Sequence, residues 1–153
     1  LAKSKNLVVE KKSVNLDTVL KETIDNLNFA YPDQLINYSS SEIFIDSDDA
    51  LLRLLFKNLI ENAIKYGNNS PVNVILEKGR KIKVIIEDFG LGISKEALPH
   101  IFERFYREDE ARNREIKSYG LGLSIVNEIL SLLDIDIQVD SELGKGTKIT
   151  LEM

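Results

Sequence analysis

Three stretches of the chain carry apolar residues at the three- and four-residue spacing of a helix with one buried face. The first two also carry start and stop signals: asparagine or aspartate before them, and a proline or a Gly-Asn-Asn run after them. The sequence therefore predicts helices from a cap at Asn15 or Asp17 to Pro32, from a cap within residues 46–49 to about Tyr66, and from about Leu121 to Leu133.

Alternating segments between these helices predict strands. Residues 71–76 and 81–88 form the best-supported pair, because Lys-Gly-Arg supplies a turn between them. Other strands are predicted at residues 7–10, 35–38, 42–45, 135–139 and 147–151, with a Gly-Lys-Gly turn before the last. The order of elements predicts an α+β two-layer sandwich. Its mixed, mainly antiparallel sheet has about five strands plus a short edge pair, and three helices cover one face.

The composition limits the possible functions. With 153 residues, of which 43% are hydrophobic, the chain suits one domain with its own core. A net charge of −5 argues against a nucleic-acid surface, and the lack of cysteine excludes thiol catalysis, thiolate metal sites and disulfides. His100 is alone, which argues against histidine-rich metal chemistry. The sequence contains no apolar run of about 18 residues, so it predicts no membrane span. The start at Leu1 without methionine suggests a fragment.

Residues 89–119 lack the periodicity of the segments around them and are rich in charge, glycine and short apolar clusters. A stretch of this length with little predicted structure inside a compact domain is usually functional. We interpret it as a lid over a binding site.

Three polar residues share one stripe of the long predicted helix. Asn58, Asn62 and Lys65 lie at spacings of four and three, flanked one turn earlier by Leu55, so the amides should face a half-enclosed space. An amide oxygen suits Mg²⁺, which takes other ligands from water and phosphate, and Lys65 would add positive charge. The alternative is that both asparagines bond to a neighbouring loop. Glu61 projects away from the stripe and is expected to be solvated.

One aspartate ends a core-facing row of a strand. Ile82, Val84 and Ile86 share one face of residues 81–88, and Asp88 is next on that face. A buried carboxylate needs a donor, and the exocyclic amine of a purine would serve. Alternatively, Asp88 caps the turn that follows it.

Glycine pairs lie on both sides of the lid. Gly90 and Gly92 follow the strand that ends at Asp88, whereas Gly120 and Gly122 open the third predicted helix. Free backbone N–H groups at a helix start form an anion site. One such pair is often an ordinary turn, but two that bracket a lid are less common by chance. The chain has neither a dinucleotide fingerprint nor a Gly-Lys-Ser/Thr phosphate loop. Residues 144–147, Gly-Lys-Gly-Thr, form by themselves a hairpin turn.

Five motifs in order resemble the N, G1, F, G2 and G3 boxes of sensor histidine kinases. They are Asn-Leu-Ile-Glu-Asn-Ala-Ile-Lys-Tyr at residues 58–66, Asp-Phe-Gly-Leu-Gly at 88–92, Phe-Glu-Arg-Phe-Tyr-Arg at 102–107, Gly-Leu-Gly at 120–122 and Gly-Lys-Gly-Thr at 144–147. The resemblance implies the Bergerat ATP-binding fold over residues 6–153, with an ATP lid at about 89–119. Residues 1–5 would then end an upstream dimerisation helix or linker.

The resemblance also implies roles for individual residues. Asn62 would be the Mg²⁺ ligand with Asn58 assisting, and Lys65 and Arg107 would lie near the phosphates of ATP. Asp88 would accept from the adenine amine. The remaining nucleotide contacts would come from Tyr66, Gly90, Gly92, Ile93, Tyr106, Gly120, Leu121, Gly122, Leu123 and Thr147. Of these, the backbone of residues 120–123 would wrap the phosphates, while Tyr106 would pack beside the nucleotide or only cover the lid.

In that family Phe102 and Phe105 anchor the lid and dock the helical dimerisation domain, although plain core packing is an alternative for either. The implied partners are this domain and, indirectly, a response regulator. The implied setting is the cytoplasm, with a parent sensor in the inner membrane. The chain departs from the family at Phe89, where asparagine is common, and at residues 118–119, where Ser-Tyr replaces Gly-Thr. It also lacks the Gly-Gly pair before the strand at residue 135.

The implied reaction is transfer of the γ-phosphoryl group of ATP to a histidine on a separate helical hairpin. His100 follows a proline within the lid and is not expected to be that acceptor. Related ATPases have a glutamate where Asn58 stands, and an amide cannot act as their general base, so slow ATP hydrolysis is expected. A serine kinase of the anti-sigma-factor type and a non-catalytic nucleotide-sensing module remain as alternatives.

Overall fold

The computed structural model of the chain describes residues 8–101 and 113–153, with side chains described for residues 8–101 and 123–153. In this part of the chain the helices are α1 (Leu16–Ala30), α2 (Asp49–Tyr66) and α3 (Asn113–Leu133), with a 3₁₀ turn at Leu98–His100. The strands are β1 (Lys12–Asn15), β2 (Ile36–Ser39), β3 (Phe44–Ser47), β4 (Val72–Lys78), β5 (Ile82–Asp88), β6 (Asp136–Glu142) and β7 (Gly146–Glu152).

The described strands form one sheet of five and one of two. The larger has the order β2-β4-β5-β7-β6, in which only β2 and β4 run parallel. The smaller pairs β1 with β3 antiparallel. The described helices cover one face of the larger sheet, so the predicted two-layer sandwich and its short edge pair are confirmed.

The core lies between α2 and the helix-facing rows of the sheet. Leu52, Phe56 and Leu59 of α2 are fully buried, as are Val74 of β4 and Val84 of β5. Burying one such side chain contributes about 1.5–3 kcal/mol. This packing fixes the rotation of α2 about its axis, and therefore the direction in which its polar stripe points.

Side-chain caps start both of the first two helices. The Oδ1 of Asn15 accepts from the backbone N–H groups of Asp17 and Thr18, so Asn15, one of the two predicted candidates, is the cap of α1. Asp48 caps α2 by accepting from the N–H of Leu51 at 2.9 Å. Each cap satisfies helix N–H groups that have no intrahelical partner.

The predicted strand at residues 7–10 is wrong for residues 8–10, and the first strand is Lys12–Asn15. Local hydrophobicity favoured Val8, which is 74% exposed, whereas pairing with β3 buries Val14. The third strand lies at Phe44–Ser47, two residues later than predicted. In both cases the partner strand determines the position, which a single segment does not reveal.

The third helix starts at Asn113 and not at about Leu121. Residues 113–119 contain neither proline nor glycine and include the helix formers Arg, Glu and Lys. Glycines at positions 120 and 122 each cost about 1 kcal/mol relative to alanine, which the buried side chains of Leu123, Val126 and Ile129 further along the helix offset. Within the described part of the chain, no helix is long and apolar enough to cross a membrane.

Candidate functional site

The polar stripe of α2 borders its buried face. Asn58 and Asn62 are half-buried, whereas Lys65 is exposed. The Nδ2 of Asn58 donates to the backbone oxygen of Leu54 at 2.8 Å. The amide nitrogen of Asn58 therefore bonds within its own helix and not to a neighbouring loop.

The Nδ2 of Asn62 is itself buried and, among the described residues, has no hydrogen-bond partner. An unpaired buried donor costs about 1–3 kcal/mol, so a ligand is expected to satisfy this group. Rotation of the amide by half a turn exchanges nitrogen and oxygen while keeping the shape of the side chain. The buried oxygen would then suit Mg²⁺, a cation that accepts neutral oxygen ligands and retains several waters.

The described residues include no cluster of three or more His, Cys, Asp or Glu side chains that would hold a metal ion. A cation at Asn62 would take further ligands from water and phosphate oxygens, as Mg²⁺ does in nucleotide sites. The residues present fit this ion.

Asp88 ends β5 on the face that the helices cover, in line with Val84 and Ile86, and is only 7% exposed. Its Oδ1 accepts from the N–H of Gly90 at 2.9 Å, so the carboxylate also caps the following turn. Burial raises the pKa of Asp88 to about 6, although the backbone N–H groups of Gly90 and Thr147 lower it. The backbone donors thus offset only part of the cost of burial, and a further donor would be favourable.

The first glycine turn, residues 88–92, passes through a narrow gap in the backbone. A side chain at Gly90 would overlap Tyr66 and Gly67, and one at Gly92, whose φ is +72°, would overlap Glu142. The N–H of Leu91 donates to the carbonyl of Tyr66 at 3.1 Å. Glycine is needed at both positions because the end of α2 and the β6–β7 turn leave no room for a side chain.

Two serines that the sequence interpretation missed hold this turn. The Oγ of Ser70 accepts from the N–H of Phe89 at 3.0 Å, and the Oγ of Ser141 accepts from the N–H of Ile93 at 2.7 Å. Neither serine belongs to a spacing pattern, so only strand pairing and loop geometry identify them.

The structure brings several predicted site residues together. Thr147 lies opposite Asp88 across the β5–β7 pair, and Ile93, 8% exposed, follows the first glycine turn. A side chain at Gly67, directly after Tyr66, would lie 3.5 Å from the Cβ of Asp88. The carboxylate therefore lies beside the end of the helix that carries Asn58, Asn62 and Lys65.

Four other predicted site residues lie in a different local structure from the one expected. Gly120, Leu121, Gly122 and Leu123 lie inside α3, so the prediction that they open a helix is wrong. Phe102, Phe105, Tyr106 and Arg107 lie outside the described residues. Their proposed roles stay predictions.

Glu61 differs from the expected solvated residue. It is half-buried, and its Oε2 accepts from the Oη of Tyr31 at 2.8 Å. This bond joins α2 to the end of α1 and explains the position of Glu61 without a ligand.

Comparison with known proteins identifies the family. A family model described as Histidine kinase-, DNA gyrase B-, and HSP90-like ATPase matches residues 47–153. Sensor histidine kinase YkoH of Bacillus subtilis (strain 168) is 36% identical over 156 residues, which cover 99% of this chain and 34% of that protein. The chain thus spans about a third of the length of this relative.

Solved structures share the fold. The mycobacterial sensor histidine kinase MprB gives a TM-score of 0.81 at 22% identity, covering 94% of this chain and 97% of that one. Full-length ShkA in complex with AMPPNP gives 0.82 at 23% identity, covering 99% of this chain and 33% of that one.

The family match includes α2, the first glycine turn and the β6–β7 turn, which are the elements that form the site. The chain belongs to the family of histidine kinase-, DNA gyrase B- and HSP90-like ATPases, and within it to the ATP-binding catalytic domains of sensor histidine kinases.

Proposed function

We propose that this domain holds ATP with its adenine against Asp88 and its phosphates along the polar stripe of α2. The observation that carries the proposal is the buried carboxylate of Asp88, whose pKa is raised to about 6 because the backbone N–H groups only partly offset its burial. The adenine amine is the donor that the ionised carboxylate lacks. Gly90 and Gly92 keep the wall of the pocket free of side chains.

Mg²⁺ is proposed at Asn62. The buried Nδ2 of Asn62, which has no partner among the described residues, supports this assignment, and Asn58 lies one turn earlier on the same stripe. A bound Mg²⁺ would neutralise phosphate charge. Lys65, exposed at the end of the stripe, would add a cation that reaches the phosphates from the solvent side.

The proposed reaction is transfer of the γ-phosphoryl group to a histidine on a separate helical domain. Asn58 stands where a water-activating carboxylate would be needed for rapid hydrolysis, and its amide cannot accept a proton. The domain would therefore bind and orient ATP while the nucleophile comes from its partner. YkoH is a sensor histidine kinase about three times as long as this chain, which supports the presence of such a partner domain.

Docking through Phe102 and Phe105, transfer onward to a response regulator, and placement on the cytoplasmic side of a membrane-bound parent complete the proposal. The relative described above, the sensor histidine kinase YkoH, supports this reading over a serine kinase of the anti-sigma-factor type. Phosphate transfer in trans tests it. Labelled ATP, this domain and a separately supplied helical acceptor domain should give a phosphohistidine, and nucleotide binding without any transfer would instead support a non-catalytic sensor.

Calorimetric titration with AMPPNP, with and without Mg²⁺, tests the pocket. In Asn62→Ala, the factor by which Mg²⁺ strengthens AMPPNP binding should fall by about tenfold or more. Binding without Mg²⁺ should be nearly unchanged. Asn37→Ala is the matched control, because Asn37 is exposed on β2 and bonds to Asn73. Unchanged affinity in both Asn62→Ala and Asp88→Ala would refute the proposed pocket.

A further inference from the structure

The side-chain oxygen of Ser141 takes part in three hydrogen bonds near the site. Its Oγ accepts from the N–H of Ile93 at 2.7 Å and donates to the carbonyl of Gly146 at 2.9 Å. It also lies 2.8 Å from the Oγ1 of Thr147, where either hydroxyl could be the donor. One oxygen thus joins the segment after the first glycine turn to both residues that start β7.

The number of protons decides the third bond. A serine hydroxyl has one proton and two lone pairs. With its proton on the carbonyl of Gly146 and one lone pair on the N–H of Ile93, Ser141 has only a lone pair left for Thr147. Thr147 must then be the donor in that pair, so its own oxygen keeps only lone pairs for any other partner.

Thr147 and Asp88 lie side by side. Ser141 pairs with Thr147 across β6 and β7, and Thr147 pairs with Asp88 across β7 and β5. Directly opposed residues share one face of a sheet, so the three side chains form a row on the face that the helices cover. The carboxylate of Asp88 and the hydroxyl of Thr147 are therefore neighbouring acceptors.

We propose that Ser141 is a positioning residue for base recognition, which keeps the Thr147 hydroxyl an acceptor beside Asp88 and so favours a 6-aminopurine over a 6-oxopurine. This inference rests on the proposed nucleotide pocket. An exocyclic amine has two protons and can supply both acceptors, whereas a 6-oxo group would turn a lone pair towards them. A base that leaves these acceptors unpaired binds more weakly, and this difference makes the site selective.

The contact with Ile93 gives Ser141 a second part in the same task. Ile93 follows Gly92, whose backbone lies against Glu142 at the end of β6. Holding the N–H of Ile93 keeps the first glycine turn at a fixed distance from Thr147. One side chain thus contacts both the Thr147 acceptor and the residue that follows the first glycine turn.

The test compares Kd values for AMPPNP and GMPPNP in the presence of Mg²⁺. Ser141→Ala is expected to weaken AMPPNP by about tenfold and GMPPNP by less than about twofold, so the preference for adenine falls by about fivefold or more. Ser141→Thr keeps the hydroxyl and should restore the preference. Ser39→Ala, at an exposed strand serine, is the matched control and should change neither Kd.

Thr147→Val tests the same idea without altering Ser141. It should lower the adenine preference as Ser141→Ala does. The double variant should show little further loss, because each change alone already removes the same Thr147 acceptor. An unchanged AMPPNP to GMPPNP ratio in Thr147→Val, or an equal loss for both nucleotides in Ser141→Ala, would overturn the inference while wild-type binding leaves the pocket intact. Failure of the wild-type domain to bind either nucleotide would overturn the pocket and the inference together.

Discussion

Two aspartates in this domain, Asp48 and Asp88, are almost equally buried, at 6% and 7% exposure. Asp48 directly follows β3 and Asp88 ends β5. Asp48 uses both carboxylate oxygens within the chain: Oδ1 accepts from the N–H of Leu51 at 2.9 Å, and Oδ2 from the N–H of Glu10 at 2.8 Å. It joins the start of α2 to the segment before β1.

In Asp88 the backbone donors compensate for less of the cost of burial. It too accepts from backbone N–H groups, those of Gly90 and Thr147, but burial still raises its pKa to about 6. Burial alone therefore does not distinguish a structural carboxylate from a binding one. What distinguishes them is whether the donors within the chain compensate for lost water, and a carboxylate left undersupplied is a candidate for a ligand donor.

The largest expected effect is on nucleotide binding by Asp88→Asn. The amide keeps an oxygen for Gly90 but loses the charge that strengthens the bond to the adenine amine. A hydrogen bond to a charged group contributes about 1.5–3 kcal/mol, so AMPPNP should bind roughly 10- to 150-fold more weakly by calorimetry.

The same variant should keep its fold. Removing a buried charge whose pKa is raised from 3.8 to about 6 should leave the free energy of unfolding at pH 7.5 unchanged or increase it by up to about 3 kcal/mol. Normal affinity with reduced stability would reverse the roles assigned to the two aspartates.

Asp48→Ala should have the opposite pattern. It removes a helix cap, worth about 1 kcal/mol, and a second bond to the N–H of Glu10, worth about as much, so the free energy of unfolding should fall by about 2 kcal/mol in urea titrations. AMPPNP affinity should stay within about twofold. Asp49→Ala is the neighbouring control, because Asp49 bonds to Arg53 in a partly exposed pair and should cost about 0.5 kcal/mol. A fall in affinity without loss of stability would place Asp48 in the site.

The sequence predicted the cap role of Asp48 only as one of several choices, but it predicted the buried position of Asp88 directly. Asp48 was one of several cap candidates in an acidic run, because a cap is chosen by backbone geometry that spacing does not reveal. Asp88 was expected on the buried face because the two-residue period of a strand places it there. Likewise, helical spacing placed Asn62 at the border of the buried face of α2, but only the packed structure leaves its Nδ2 buried without a partner among the described residues.

Two failures have different physical causes, and periodicity reveals neither. Ser141 gave no signal because its contacts come from two separate segments, at residue 93 and at residues 146–147, which only folding brings together. The early start of α3 at Asn113 was missed because residues 113–119 lack an apolar period, although they contain good helix formers. Pattern analysis detects elements with one buried face, and it is weak where long-range contacts or local propensity decide.

The next prediction concerns pH. The adenine amine needs an ionised acceptor, and the pKa of Asp88 is about 6 in the free domain, so AMPPNP affinity should fall about tenfold from pH 7 to pH 5. Asp88→Asn is the control for titration of the phosphates, which affects both proteins equally. The ratio of the Kd of wild type to the Kd of Asp88→Asn should therefore change with pH. A ratio that does not change with pH would mean that Asp88 is not the acceptor.

Stability should follow pH in the opposite direction. The folded-state pKa of Asp88 lies above the ordinary value of 3.8, so the folded chain retains the proton between pH 3.8 and about 6. The contribution of Asp88 to stability is complete below that window and is lost as pH rises through it. The unfolding free energy of wild type relative to Asp88→Asn should therefore decrease as pH rises from 4 to 6.

The smallest expected effect comes from a third acidic residue, Glu61, which lies next to Asn62 on α2 but accepts from Tyr31 Oη at 2.8 Å. Tyr31→Phe removes this donor at a half-buried position, where water can partly replace it, so the free energy of unfolding should fall by about 0.5–1 kcal/mol. Nucleotide and Mg²⁺ affinity should be unchanged, because the bond ties α1 to α2 and involves no residue of the polar stripe that carries Asn62. A change of more than about threefold in Mg²⁺-dependent AMPPNP binding would show that Glu61 belongs with Asp88 among the acids that serve the ligand.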